Sequence, residues 1–416
     1  MSKDNSKISP YKKVIDDLFL VSLVLVFLLT SLSIAALPIV FYLLAIPLFI
    51  VKMIVFKQKL KNTGVEIFIG IFLLTSFISS IASYFYMGDL GSVYMKNSLI
   101  WFYKTAPAIL IFIITVQGGY KRWARILASA FLLGSVLNGI YLTSQFIYHF
   151  KDLNIYSDRF RGFIRYAIGT NLPMAFCVAS WLLTEERLGK SKITNRILIW
   201  LGYIITTVSS LFTLVRNAVL GIIISTIIFI IKTKRKIFVI TLIIYIILTF
   251  LIPMTRFRVI DTLSGLKYTG FFWEPSSVKE WRWRLYPIGI DIIKRYPLFG
   301  VGPRNVALII SEYRPYSVKE FQAHLHNNFL EIGAEMGLIG LSALIALFVS
   351  IYVALLKHKN NRNVITLGLS ALTAFIVIGM FDYFIGVYEA FISFWEVLSI
   401  AFLYLYGREK ENTDFE

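Results

Sequence analysis

The chain has a single cysteine, Cys177, and it falls inside a hydrophobic segment. An intramolecular disulfide is thereby excluded, a cysteine-based metal site lacks its ligands, and Cys177 reads as core packing. Charge is also scarce: 16% of the 416 residues are charged against 57% hydrophobic. Acidic residues are the rarer sign, 24 against 42 Lys and Arg, for a formal net charge of +18. No Gly-rich phosphate loop, Gly-x-Ser-x-Gly, His-Glu-x-x-His or paired-cysteine signature occurs, so the chemistries those motifs serve are not indicated. Neither an internal repeat nor a low-complexity tract is present.

What the chain does have is long runs without charge, recurring from Leu18 to Leu405. A soluble domain rarely tolerates repeated apolar stretches of about 20 residues, so the composition predicts a polytopic, all-α integral membrane protein. The apolar runs suggest spans near 16–34, 36–56, 65–86, 98–117, 124–150, 166–184, 197–214, 216–232, 237–254, 336–356, 364–384 and 388–406, about twelve in all. Positive charge follows every second run. It falls on Lys3, Lys7, Lys12 and Lys13, then Lys57 to Lys61, Lys121 to Arg125, Arg187 to Arg196, Lys232 to Lys236, Lys357 to Arg362, and Arg408 with Lys410. That alternation predicts twelve spans with both termini in the cytoplasm and argues against a nucleic-acid-binding face. Residues 1–416 read as one membrane domain, with an uncleaved first span and a solvated tail from Glu409 to Glu416.

Two connections on the other side are also basic: 151–165, with Arg159, Arg161 and Arg165, and the long segment 255–327 between the ninth and tenth runs. Long loops are exempt from the charge rule, so their cations require another explanation. Within the second, Trp281 to Arg295 carries Leu285, Ile288, Ile292 and Ile293 at helical spacing and predicts an amphipathic helix on the membrane surface or the bundle. Pro297, Gly300, Gly302 and Pro303 end it in a tight loop.

Arg216 interrupts the apolar stretch from Ile197 to Ile231. It reads either as a snorkelling guanidinium at the outer end of the eighth span or as an anion site facing a cavity, where a planar guanidinium can hold a phosphate in a bidentate way. Arg282 and Arg284, in Glu-Trp-Arg-Trp-Arg-Leu-Tyr, read either as an interfacial belt or as a second cationic element. His324, His326 and Asn327 precede a segment with Gly333, Gly337 and Gly340 at helical spacing. A neutral imidazole at His326 can accept a proton from an attacking hydroxyl, with His324 orienting a substrate or capping the segment. Glu331 and Glu335 read either as partners fixing an imidazole or, in preference, as helix-surface charges, and the glycines as a close-packing face. The His and Glu spacing is poor for one helical face, so no metal is expected.

The pattern His326-Asn327, nine residues, Gly337, two residues, Gly340 resembles the motif of the O-antigen ligase and O-antigen polymerase superfamily of membrane glycosyltransferases. Members carry one arginine in a short apolar span and another about fifteen residues before a Pro-Leu-Phe-Gly-Val-Gly segment. Here these correspond to Arg216 and Arg282 before Pro297–Gly302, with Arg284 two residues late as the alternate. Arg304 stands where a glycine-rich run is common in the family. The resemblance, which covers roughly Ile197 to Gly340 in detail, implies a large periplasmic loop and metal-independent, cofactor-free transfer. The implied donor is undecaprenyl-diphosphate-linked polysaccharide. Arg216 and Arg282 would bind the diphosphate and His326 would act as base, with Arg284, His324 and Asn327 contacting substrate, at the periplasmic face of a bacterial inner membrane. Within the family the chain looks more like ligases, which use a lipid A-core acceptor. A polymerase is the first alternative. A non-enzymatic transporter of an anionic substrate is the second.

Overall fold

The computed structural model describes residues 5–33, 35–149, 168–185, 193–253, 255–257, 260, 285–310 and 324–409. Arg159, Arg161, Arg165, Arg282, Arg284, residues 410–416 of the tail and much of the 255–327 segment lie outside them. Among the described residues the fold is all-helical, and helices fall on the expected apolar runs. They are α1 (Asn5–Leu29), α2 (Ala36–Ile54), α3 (Glu66–Tyr86), α4 (Gly91–Gly118), α5 (Trp123–Tyr148), α6 (Ile168–Thr184), α7 (Ile193–Phe212), α8 (Arg216–Thr233) and α9 (Lys236–Leu251). Two short helices follow, α10 (Leu285–Arg295) and α11 (Val306–Ile310), and then α12 (Asn328–Leu356), α13 (Arg362–Gly379) and α14 (Tyr388–Tyr406). Eight of these are long and apolar enough to cross a membrane: α2, α3, α4, α5, α8, α12, α13 and α14. The chain is thus a multi-pass membrane protein. Helices are the natural outcome because hydrocarbon offers backbone N–H and C=O groups no partner other than each other.

The arrangement is centred on α14, which packs against α4, α5, α6 and α13 and buries every side chain from Ala390 to Leu403. Burial on every face puts this helix at the centre of the bundle. By contrast α9 buries only Phe238, Tyr245 and Thr249 and presents Ile240, Ile243, Ile247 and Leu251 outward, a surface suited to lipid. Between the inner helices the contacts include polar ones. Asn171 donates to Ser31 and Ser393 at 3.0 and 3.2 Å, Thr30 donates to Glu396 at 2.7 Å, and buried Cys177 sits 3.2 Å from the Ser225 hydroxyl. Small hydroxyl and amide side chains bridge helices where the alternative is an unsatisfied group in hydrocarbon.

The basic helix ends gather at one end of the bundle. Lys61 bonds Gln117 there, Arg408 donates to the Lys59 carbonyl, Arg235 donates to the Leu183 and Thr184 carbonyls, and Asn363 also donates to Thr184. Near that end Lys52 is buried yet fully occupied. Its ammonium lies 2.5 Å from Asp16, donates to the Gly118 carbonyl at 2.7 Å, and stands 4.8 to 5.2 Å from the ring centres of Phe19, Trp123 and Tyr120. This contact ties α1, α2, α4 and α5 together. Removing one partner strands a buried charge, at about 3–5 kcal/mol. Asp16→Ala is therefore expected to lower the thermal stability of detergent-solubilised protein sharply, while Asp17→Ala, whose partner is not this ammonium, leaves it nearly unchanged.

Candidate functional site

The site begins with a broken helix. The span expected at 336–356 starts earlier, at Asn328, because Asn327 caps it: the Asn327 side chain accepts from the backbone N–H groups of Phe329 and Leu330 at 2.9 and 3.1 Å. Nine residues on, Gly337 has φ 68° and ψ −170°, a conformation open essentially to glycine alone, and the helix is interrupted. The loop Pro297–Arg304 closes on the interruption. Val301 N–H donates to the Ala334 carbonyl at 3.0 Å, Gly302 N–H to Glu335 at 2.8 Å, and Leu338 N–H returns to Pro297 at 2.8 Å. A Cβ on Gly337 would stand 2.2 Å from the Leu298 carbonyl oxygen, and one on Gly300 would stand 2.4 Å from the Glu335 backbone. The glycines thus serve a backbone crossing, and the expected helix-packing face is corrected accordingly. Gly333 faces the Ile293 side chain of α10 and Gly340 faces its own helix's Met336.

Glu331 and Glu335 are buried, which overturns their reading as helix-surface charges. Each holds backbone in place. Glu331 accepts from Leu325 N–H at 2.5 Å, and Glu335 accepts from Arg304 N–H and, at 2.9 Å, from the Tyr383 hydroxyl. Burial and the adjacent Glu335 carboxylate push the Tyr383 phenol well above its ordinary range, so it remains a donor. In turn it accepts from Trp101 Nε1 at 3.1 Å.

These contacts converge on residues 380–387, the turn between α13 and α14. The apolar run there suggested a span ending near 384. The helix instead ends at Gly379, where Met380, Phe381, Tyr383 and Phe384 disguise a connection as membrane segment. Asn328 fastens the turn by accepting from Phe384 and Ile385 N–H at 2.7 and 3.2 Å. Asn327 Nδ2 and the Tyr286 hydroxyl of α10 both donate to the Met380 carbonyl, each at 3.0 Å.

At the turn's centre Asp382 Oδ1 lies 2.7 Å from His326 Nδ1 and 3.5 Å from His324 Nε2, and Asp382 Oδ2 accepts from Asn217 at 3.1 Å. A carboxylate only accepts, so His326 carries its proton on Nδ1 and Nε2 becomes the ring's acceptor nitrogen. The carboxylate orients the base and stabilises the imidazolium that forms when it takes a proton. His326 also has φ 54°, an uncommon setting for a non-glycine residue and one that recurs at functional positions.

Arg216 occupies the first turn of α8, directly after the break at Thr213–Val215 and directly before Asn217. Asn217 reaches the carboxylate that holds His326, so two residues more than a hundred positions apart are bridged by two hydrogen bonds through Asp382. Among the described residues no side chain caps the α8 N-terminus, and the backbone dipole adds positive character at the turn that carries Arg216. Because α8 runs about 27 Å from Arg216 to the basic end at Lys234, the site lies at the bundle end away from the cations. The first turn of α10 is anchored here through Tyr286 and Leu285. Arg282 and Arg284 lie outside the described residues.

Asp382 and Asn217 were not among the residues singled out from sequence. The signal was present: Asp382 is the only acidic residue between Arg362 and Glu389. His324, His326 and Asp382 also place one ligand atom each within 4.8 Å of one another, enough to hold a metal ion. The 2.7 Å His326–Asp382 contact is equally that of a charge-assisted hydrogen bond.

The sequence model of the O-antigen ligase family matches residues 201–345, which include Arg216, His326 and the Gly337 break. No curated protein matches the chain.

The geometry at Gly337 gives a direct test. Gly337→Ala must take up a disfavoured conformation, about 1–3 kcal/mol by itself, and also displace the Leu298 carbonyl. It is expected to lower the melting temperature much more than Gly333→Ala, whose new methyl meets only the flexible end of Ile293.

Proposed function

We propose that the chain, whose residues 201–345 match the O-antigen ligase family, transfers a glycan from a lipid diphosphate to a hydroxyl of a second membrane-anchored glycan, and that it acts as a ligase with a lipid A-core acceptor. The observation that carries the reading is the shared carboxylate: Asp382 binds both His326 and the residue next to Arg216. The base and the helix turn that carries the cation, remote in sequence, are thereby joined through one side chain.

In this reading Arg216 and Arg282 bind the donor diphosphate and stabilise the charge that builds on it, and Arg284, His324 and Asn327 assist binding. The acceptor oxygen forms a bond to the anomeric carbon as the carbon–oxygen bond to the diphosphate breaks. The hydroxyl proton passes to His326 Nε2, and undecaprenyl diphosphate leaves. Attack from the face opposite the leaving group inverts the anomeric centre. The donor is already activated, so no nucleotide is consumed. Twelve spans with cytoplasmic termini would place the cationic ends inside and the His326 end at the periplasmic face of the bacterial inner membrane, with 255–327 as a periplasmic loop. That sidedness is supported by the opposition of the site to the basic end. A polymerase uses the same donor with a second lipid-linked glycan as acceptor. In vivo, loss of a ligase leaves polymer on the lipid carrier, whereas loss of a polymerase leaves single repeat units on lipid A-core.

The reaction should be reconstituted from lipid-linked glycan and rough lipopolysaccharide. Arg216→Ala, Arg282→Ala and His326→Ala are expected to be almost inactive while inserting normally. Asp382→Asn keeps the shape but loses the charge that fixes the tautomer, and kcat should fall by about 10²–10⁴-fold. A chelator is expected to leave the rate unchanged. Loss of activity on chelation, restored by added divalent metal, would instead assign His324, His326 and Asp382 to a metal.

A further inference from the structure

Beside the site lies a cavity of about 450 Å³, within the range of small-molecule pockets. Its walls include Tyr42 of α2, Tyr103 and Lys104 of α4, Gly386 of the 380–387 turn, and Tyr388 and Glu389 of α14. The Tyr42 and Tyr103 rings are parallel within 2°, with centres 6.1 Å apart. Lys104 is exposed and lies one turn beyond Trp101, on the part of α4 next to the site turn. The Tyr388 hydroxyl is buried with no hydrogen-bond partner among the described residues. Flat apolar rings together with a cation, a carboxylate and an unspent hydroxyl suit a sugar, which has a C–H face and a rim of hydroxyls.

One aromatic ring separates this cavity from the imidazoles. A Cβ on Gly386 would lie 2.3 Å from the Tyr383 ring, and the Tyr383 ring centre stands 5.8 Å from that of His324. The turn also divides two approaches. From α8, Asn217 reaches Asp382, and from α4, Trp101 reaches Tyr383. The Arg216 approach and the cavity therefore adjoin different residues of one short turn. A displacement with inversion needs that separation, because nucleophile and leaving group occupy opposite faces of the reacting carbon.

Resting on the glycosyl-transfer reading above, we propose that the cavity is the acceptor subsite. It holds the terminal sugar of a membrane-anchored glycan against the Tyr42–Tyr103 pair, with Glu389, Lys104 and the Tyr388 hydroxyl taking its hydroxyls. The attacking hydroxyl points past Tyr383 toward His326.

The test uses full-length protein in nanodiscs. The donor is a lipid-diphosphate-linked glycan blocked at its non-reducing end so that it cannot accept. The acceptors are lipid A-core and a glycolipid lacking the diphosphate. Tyr103→Ala and Glu389→Gln are expected to raise the acceptor KM about tenfold, with donor KM and kcat within about twofold of wild type. A benzophenone amino acid in place of Tyr42 should photolabel an acceptor and not the blocked donor. Labelling of lipid A-core alone identifies a ligase acceptor, and labelling of the glycolipid alone identifies that of a polymerase. Capture of the donor only, or acceptor KM values unchanged with no acceptor labelling, overturns the assignment. A wild-type protein that labels with acceptor but forms no glycosidic bond keeps the subsite and removes the glycosyl-transfer reading.

Discussion

A single carboxylate organises the functional end of this membrane protein. Asp382 joins the residue that follows Leu325, the first turn of α8 and the turn between α13 and α14, three elements distant in the chain. An acid of this kind at the margin of hydrocarbon persists only with partners. Among the described residues its partners include two imidazoles and an amide, so satisfying the charge also aims the base. Stability and chemistry are carried by the same contacts.

The carboxylate can do this because the backbone beneath it is rigid. Helix α12 is interrupted at Gly337, and the Pro297–Arg304 loop inserts its N–H groups against the carbonyls thus exposed. Non-helical backbone at membrane depth is tolerated where protein covers it, and this is such a place. Two buried glutamates complete the job. Glu331 takes the N–H of Leu325, adjacent to His326, and Glu335 takes those of Arg304 and the Tyr383 hydroxyl. They act as fixed acceptors in the scaffold, which explains why acids sit inside an otherwise apolar helix. At the opposite end Lys52 plays a comparable part, with one ammonium satisfied by a carboxylate, a carbonyl and three rings.

Much of this was legible in the residues. Long uncharged runs became helices because a helix satisfies its backbone from within its own segment. The turn at Pro297–Gly302 and the amphipathic pattern from Leu285 were equally local, and the structure has them where the pattern put them. The misreadings share a cause. Glu331 and Glu335 looked like surface charges because their donors lie off the helix, Leu325 before its cap and Arg304 and Tyr383 on other segments. The end of α13 was placed past Asp382 because Phe381, Tyr383 and Phe384 are as apolar as a span, although they line a turn.

Composition and periodicity by themselves determined the all-helical membrane class, the approximate positions of the helices, the return of cations after every second apolar run, and the candidacy of Arg216 and His326. Those properties depend on each segment's exchange with lipid and on hydrogen bonds within it. The tertiary structure alone decided that Asp382 and Asn217 belong to the site, that Gly337 is a crossing of backbones, and that a cavity opens behind Tyr383. Each of these is a contact between groups tens to hundreds of residues apart, set by how the helices pack, and no local pattern encodes it.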